Sequence, residues 1–105
     1  MRIGILPIGN VDADAVRFVQ RGLSEVLPET EVVALDDTMA IPKEAYNSSR
    51  RQYHSTKILT KMSDYAEKNE GLVLGMTEAD LYVPNLNFVF GEARCPGREA
   101  LISLF

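Results

Sequence analysis

The sequence predicts an α/β fold of the mixed α+β kind, in which a twisted mixed sheet of about five strands carries two main helices. Short apolar runs of strand length alternate with segments that repeat at helical spacing. The last two apolar runs are separated by a Pro-Gly pair, which is typical of a chain reversal. With 105 residues, of which 46% are hydrophobic, we expect one domain over 1–105.

The first predicted element is a strand over residues 2–8, which ends at Gly9. Because the run is apolar at nearly every position, we expect both of its faces to be buried in the middle of the sheet. The start of the chain has no small-residue cleavage signal, and Asp12 and Asp14 follow soon after Pro7. A strand therefore explains this segment better than a leader peptide does.

A helix should follow, with Asn10 or Asp12 as its cap and Pro28 at its end. We expect its buried stripe to be extended by Phe18. The residues that recur near helical spacing are Ala15, Val16, Val19, Leu23, Val26 and Leu27. A second strand is predicted over residues 30–35, and two strands joined through a helix imply a right-handed parallel crossover.

The middle of the chain should contain a loop, a second helix and a third strand. Residues 36–47 have turn formers and no sustained period, so we predict a loop over the strand ends. An amphipathic helix is expected from about Ser55 to about Asn69, followed by a buried strand over residues 71–76. Its apolar positions are Ile58, Leu59, Met62, Tyr65 and Ala66.

The end of the chain predicts a β-hairpin formed by residues 86–93 and 100–105. Phe88 and Phe90 alternate with less bulky neighbours, which is typical of a strand with two unlike faces. Such a strand can lie at the edge of a sheet, where an extended peptide can pair with it.

Side chains with evident chemistry are few. The sequence has no P-loop and no dinucleotide-binding glycine pattern. His54 is the sole histidine, so one chain cannot supply a histidine zinc triad, and we expect a surface or capping role for it. Cys95 would be a nucleophile only with a base beside it; Arg94 and Arg98 favour a thiolate but supply no base, so an ordinary turn residue is the preferred interpretation.

The acidic pairs Asp36-Asp37 and Glu78 with Asp80 lack the spacing of a calcium loop, so we interpret them as solvated loop acids. We expect Asp80 to order the turn before the next residues by accepting from their backbone amides. The basic cluster of Arg50-Arg51, Lys57 and Lys61 is interpreted as a solvated helix face.

Overall charge and composition exclude several function classes. A net charge of -4 and a pI near 4.9 argue against nucleic acid or an anionic membrane as the main partner. No apolar run approaches the roughly 20 residues that a membrane-spanning helix needs. A single cysteine forms no intramolecular disulfide, so we expect a cytoplasmic location.

Several segments resemble the archaemetzincins, zinc-dependent peptidases found mainly in archaea. The segments are residues 80–93 (DLYVPNLNFVFGEA), Gly97-Arg98, 101–104 (LISL), 3–9 (IGILPIG) and 46–53 (YNSSRRQY). The resemblance covers the whole chain and implies a metzincin-like amino-terminal subdomain. That family continues into a helix with H-E-x-x-H, a third histidine and a cysteine-rich segment that holds a second zinc. None of these is found before Phe105, so we expect no cofactor in this chain and zinc in the intact family.

The resemblance also implies a site. The family's antiparallel edge strand forms the upper rim of the cleft and binds an extended peptide substrate. Here the corresponding strand would be outermost, with residues 100–105 between it and the third strand, and Phe88 and Phe90 would face either the core or the cleft. Its residues would be Asn87, Phe88, Val89, Phe90, Gly91, Glu92 and Ala93.

Two functions remain open. In the first, the chain is the amino-terminal subdomain of such a peptidase, inactive alone because it lacks the zinc motif. In the second, it is a non-enzymatic domain that binds a peptide or partner through its sheet edge. A coding sequence that runs past Phe105 into H-E-x-x-H would favour the first. If the family comparison holds, the missing half leaves apolar surface and a free edge exposed, and both features favour self-association.

Overall fold

The computed structural model describes residues 1–94 and 96–105. Its helices are α1 (Ala13–Val26), α2 (Ser55–Lys61) and α3 (Ser63–Lys68), with a 3-10 turn at Lys43–Ala45. Its strands are β1 (Arg2–Ile8), β2 (Glu31–Ala34), β3 (Tyr46–Asn47), β4 (Gln52–His54), β5 (Leu72–Thr77), β6 (Leu81–Tyr82), β7 (Gly91–Ala93) and β8 (Glu99–Ser103).

The main sheet has five strands in the order β2-β1-β5-β8-β7. The first four are parallel to one another, and β7 alone of the five runs antiparallel. The mixed α/β class, the central position of β1 and the outermost position of β7 are therefore as predicted. Because β8 lies between β5 and β7, the order implied by the family resemblance is also correct.

The core lies on both faces of the main sheet. Ile5 and Leu6 are adjacent on β1 and both fully buried, because successive side chains of a strand point to opposite faces. Ile5 packs with Val16 of α1, and Leu6 packs with residues of α2 and α3. The near-continuous apolar run of the first strand thus follows from its two covered faces.

Helix α1 begins after Asp12, whose carboxylate accepts a hydrogen bond from the backbone N–H of Asp14 at 2.9 Å. Of the two predicted caps, the structure therefore uses Asp12. The prediction that Phe18 extends the buried stripe is wrong, since its side chain is 79% exposed. Phe18 lies two residues from Val16, which is about 200° around a helix and therefore on the opposite side.

The helix predicted over residues 55–69 is divided into α2 and α3 at Met62. The hydroxyls of Thr60 and Ser63 donate to carbonyls one turn earlier, Thr56 and Thr60, at 2.9 and 2.8 Å. Hydroxyls that bond back to the helix backbone tend to bend helices, which fits the break between them. None of the described helices is long and apolar enough to cross a membrane.

The loop predicted over residues 36–47 contains more structure than expected. Met39 pairs with the end of β1, since it accepts from Gly9 N–H at 2.8 Å and donates to the Pro7 carbonyl at 2.9 Å. The 3-10 turn and β3 follow, and β3, β4 and β6 form a second, three-stranded sheet. Strands of two or three residues are too short to show a period of two, so the sequence pattern could not predict them.

Candidate peptide-binding edge

The proposed edge strand is shorter in the structure than in the sequence prediction. Of residues 87–93, Gly91–Ala93 alone form β7 in the main sheet. Val89 instead donates its N–H to the Leu81 carbonyl at 2.9 Å and pairs with the second sheet. Residues 88–90 therefore carry the chain from one sheet to the other, which an alternating sequence pattern cannot distinguish from a single long strand.

The hydrogen bonds of the β7–β8 pair determine which backbone groups of β7 face outward. The N–H groups of Ser103 and Arg94 donate to carbonyls across the pair, at 2.8 and 3.1 Å. In an antiparallel pair, bonded residues alternate with residues whose N–H and C=O groups point the other way. Gly91 and Ala93 therefore direct these groups away from β8, along the open edge of the sheet.

Gly91 lets β7 approach β8 closely. A Cβ atom at this position would lie 2.4 Å from the Leu101 carbonyl oxygen, which is far inside van der Waals contact. A glycine in a strand often marks such a close backbone approach. The glycine is thus needed for the edge strand to pair with β8.

Glu92 joins β7 to the start of α2. Its carboxylate accepts hydrogen bonds from the hydroxyls of Ser55, at 2.5 Å, and Thr56, at 2.9 Å. Ser55 is completely buried, so Glu92 satisfies a hydroxyl that has no access to water. A carboxylate at the first residues of a helix also interacts favourably with the positive end of the helix dipole.

A second set of contacts fixes the segment just before the edge. Arg50 donates to the Leu86 carbonyl and, at 3.0 Å, to Oε1 of Gln52, while Gln52 Nε2 donates to the Asn87 carbonyl at 2.7 Å. The guanidinium of Arg50 also lies 4.0 Å from the centre of the Tyr82 ring. The interpretation of Arg50 as part of a solvated helix face is therefore wrong, because it lies in the turn between β3 and β4.

Phe88 and Phe90 face away from the core. The sequence alone did not decide whether these side chains face the core or the cleft. They are 53% and 73% exposed, and their rings meet edge to face with centroids 5.2 Å apart. They line a half-open pocket of about 310 Å³ beside the edge. Val89, between them, is half-buried and packs against the core.

Comparison with known proteins decides the family. A scan against protein-family models finds no match. The archaemetzincin of Methanocaldococcus jannaschii is 45% identical over 104 residues, which cover 99% of this chain and 54% of that protein. The archaemetzincin of Archaeoglobus fulgidus is 35% identical over 106 residues, covering 100% and 61%. The chain belongs to the archaemetzincin family.

Solved structures agree with this assignment. The crystal structure of the Archaeoglobus fulgidus archaemetzincin, complexed with malonate, has a TM-score of 0.83 and 35% identity, covering 99% of this chain and 61% of that one. A zinc-dependent peptidase from Methanocorpusculum labreanum has a TM-score of 0.81 and 27% identity, covering 96% and 62%. The chain spans about half the length of the curated relatives it matches.

Archaemetzincins form a family of zinc metallopeptidases, and a zinc site needs several His, Cys, Asp or Glu side chains placed together. Residues 1–94 and 96–105 contain no group of three or more His, Cys, Asp or Glu side chains placed to hold one. We therefore derive no catalytic step from these residues.

The other residues singled out in the sequence have structural surroundings. His54 precedes α2 without capping it through its side chain, and its ring packs edge-on against Tyr82 at 5.1 Å. Glu78 accepts from the Asp12 N–H at 3.1 Å. Asp80 accepts from the side chain of Gln52 at 3.2 Å, not from a following backbone amide as predicted. Asp36 and Asp37 are both exposed, as expected for solvated loop acids, and Cys95 lies outside the described residues.

Proposed function

We propose that this chain forms the upper rim of the substrate cleft in an archaemetzincin-type zinc peptidase. In this proposal β7 holds an extended peptide by strand addition, in which main-chain hydrogen bonds supply affinity and pockets for alternate side chains supply specificity. The observation that supports it is the open edge, where the backbone groups of Gly91 and Ala93 point away from β8. The zinc ligands would come from outside residues 1–105.

The contacts around β7 support this role because they hold the edge in one geometry. The Glu92 carboxylate fixes β7 to α2, and Arg50 and Gln52 fix the preceding segment through its carbonyls. An edge that is ordered before binding loses less conformational entropy when a peptide pairs with it. A peptide held in line by such a strand would reach a catalytic centre in a fixed orientation.

A peptide-binding measurement tests the proposal. Fluorescently labelled extended heptapeptides would be titrated into the 105-residue chain while anisotropy is recorded. Hydrogen-bonded residues alternate along a strand pair, so two sets of peptides are compared, one N-methylated at odd-numbered and one at even-numbered residues. One set should lose binding, and the other should bind nearly as well as the parent peptide. If both methylated sets bind as well as the parent peptide, strand addition is wrong.

A variant of the protein gives the complementary test. Ala93→Pro removes the outward N–H of β7, whereas Ala93→Val keeps it, and neither change alters a donor that faces β8. We expect the proline variant to bind peptide at least about tenfold more weakly, since one charge-neutral hydrogen bond and the local strand geometry are lost. Circular dichroism would verify that both variants are folded. Equal affinities in the two folded variants would contradict the proposal.

A further inference from the structure

The pocket beside β7 lies where the chain passes from the main sheet to the second sheet. Its volume is about 310 Å³. β5 and β8 are parallel, so Ser103 and the segment after Thr77 lie together at the carboxyl end of the sheet. Open α/β sheets usually bind ligands at this end. The pocket is lined by Gln52, Asp80, Asn87, Phe88, Val89, Phe90, Ser103 and Phe105.

The walls of the pocket are mainly apolar, and its polar groups are mostly engaged. Gln52 donates through Nε2 to both Asp80 and the Asn87 carbonyl, and Ser103 Oγ donates to the Ala79 carbonyl at 2.5 Å. Of the described residues that line the pocket, Asp80 is the one charged side chain. One of its carboxylate oxygens accepts from Gln52, and none of the described salt bridges includes it. The pocket therefore combines one carboxylate with phenyl rings in its lining.

The nearest cation described, Arg50, has no described contact with the Asp80 carboxylate. Arg50 contacts Gln52, but its guanidinium donates to the carbonyls of Leu86 and Asn87 and lies over the Tyr82 ring. The amide of Gln52 lies between Arg50 and Asp80, since Arg50 bonds its oxygen and Asp80 accepts from its nitrogen. Among the described contacts, the Asp80 carboxylate thus has one side-chain donor, Gln52, and no ion-pair partner.

We propose that this pocket binds a lysine or arginine side chain of the peptide held on β7. The proposal rests on the strand-addition function and adds its side-chain preference. The apolar stem of a lysine or arginine would pack against Phe88 and Phe90, its charged head would pair with Asp80, and the phenyl rings would favour a cation. Phe90, which lines the pocket, directly precedes Gly91, so the pocket adjoins the start of β7.

The test compares peptides that differ in one side chain. Lysine is placed at each position of an otherwise uncharged, labelled heptapeptide in turn, and norleucine replaces it in the matched set because it has a straight aliphatic stem without the ammonium group. At one position we expect the lysine peptide to bind the 105-residue chain about fivefold more tightly than its norleucine counterpart, the size of a solvent-accessible ion pair. Higher salt should reduce that ratio.

Two protein variants assign the effect to Asp80. Asp80→Asn keeps an oxygen for Gln52 but removes the charge, so the lysine preference should disappear while affinity for the norleucine peptide is kept. Glu78→Gln removes an equal charge two residues earlier, outside the pocket lining, and should leave the preference intact. Thermal unfolding of each variant verifies that it is folded.

The outcomes separate this inference from the proposed function. If lysine and norleucine peptides bind equally at every position, or if Asp80→Asn keeps the preference, the pocket assignment is wrong while strand addition stands. If binding depends on N-methylation but an aromatic residue is preferred to lysine, the pocket is an apolar subsite and the assignment is also wrong. If no peptide binds, both proposals fail.

Discussion

Glu92 is the residue on which the position of the edge strand depends most directly. Its replacement by alanine leaves the buried Ser55 hydroxyl without the acceptor that it has in the structure. We expect Glu92→Ala to lower the free energy of unfolding by about 1–3 kcal/mol, the cost of an unsatisfied buried polar group. Urea unfolding would measure it. As a control, Glu67→Ala on the exposed face of α3 should change stability little, and equal effects of the two substitutions would contradict the role of Glu92.

Glu44 gives a pH dependence with a defined sign. A hydrogen bond from its own backbone, together with Lys61 at 3.2 Å, holds the pKa of its carboxyl below the usual value. A lowered pKa in the folded state means that the unfolded chain binds the proton more readily, so this contribution is present above the ordinary glutamate pKa and is lost as pH falls through the folded value.

The prediction for Glu44 is a small loss of stability on acidification that Glu44→Gln reduces. Unfolding would be measured in urea at several pH values below neutrality, for the parent and the variant. Because the ion pair is exposed and salt screens it, high salt should diminish the difference. Identical pH profiles for the two proteins at low salt would show that the pair contributes nothing.

At the residue scale, the sequence predicts the structure correctly where a single local rule decides it. Asp12 caps α1, and the phenylalanines at 88 and 90 lie on one side of their segment, as capping chemistry and alternation predict. The prediction for Arg50 is wrong because the carbonyls that it bonds lie 36 and 37 residues away in the chain. No local pattern indicates that an arginine in a turn will bond to carbonyls of a distant loop.

At the scale of elements, Gly91 determines whether β7 can pair with β8. We expect Gly91→Ala to displace the strand, because its new Cβ would lie 2.4 Å from the Leu101 carbonyl. The loss should be about 1–3 kcal/mol of unfolding free energy, as for other overpacked positions, with weakened peptide binding. Urea unfolding and peptide titration would measure both.

A glycine in α1 provides the matched control. A Cβ added at Gly22 meets nothing within 4 Å, so Gly22→Ala should stabilise the protein by about 0.5–1 kcal/mol through helix propensity. If both alanine variants change stability in the same direction, the close approach at Gly91 does not carry the effect assigned to it.

The elements predicted from the sequence are those long enough to show a period. β1, α1, β5 and β8 were anticipated with ends that differ by a few residues, because each covers several turns or alternations. The second sheet was missed because β3 and β6 have two residues each. Residues 88–90 were assigned to the wrong sheet, since alternation indicates a strand but not its partner.

At the scale of the whole molecule, the number of possible ligands leads to a prediction about zinc. A tetrahedral zinc site needs three or four protein ligands of the histidine, cysteine or carboxylate type. The chain has one histidine and one cysteine, and within residues 1–94 and 96–105 no three side chains of these types are grouped to hold a metal. We expect the 105-residue chain to be metal-free after incubation with zinc and desalting, and to hydrolyse no peptide. Stoichiometric zinc by elemental analysis would contradict this expectation.

The surface around β7 combines an open strand edge with exposed apolar side chains. Leu86, Phe88, Phe90, Leu104 and Phe105 are all exposed, and the pocket brings three of them, the phenylalanines, together. Apolar area gains roughly 25 cal/mol per Å² when it is buried, and an unpaired edge is a template for another strand. We propose that two or more copies of the chain associate through this surface.

A single charge placed on this surface tests the association. Val89 is unsuitable, because its side chain is half-buried against the core and a lysine there would destabilise the fold. Phe90 is 73% exposed, so Phe90→Lys should weaken association without unfolding the chain, since a charge beside an edge strand opposes strand addition. Light scattering over a concentration series would measure the mass of each protein.

The control for this prediction is Phe18→Lys on α1, which adds the same charge at a site that is 79% exposed and separate from β7. We expect Phe18→Lys to associate like the parent and Phe90→Lys to stay monomeric to higher concentration. If the parent protein remains monomeric at high concentration, the association is contradicted. If both variants lose association equally, the effect is due to net charge instead of to this surface. The same titration with an edge-binding peptide added should lower the mass of the parent, because peptide and second copy would compete for the backbone groups of Gly91 and Ala93.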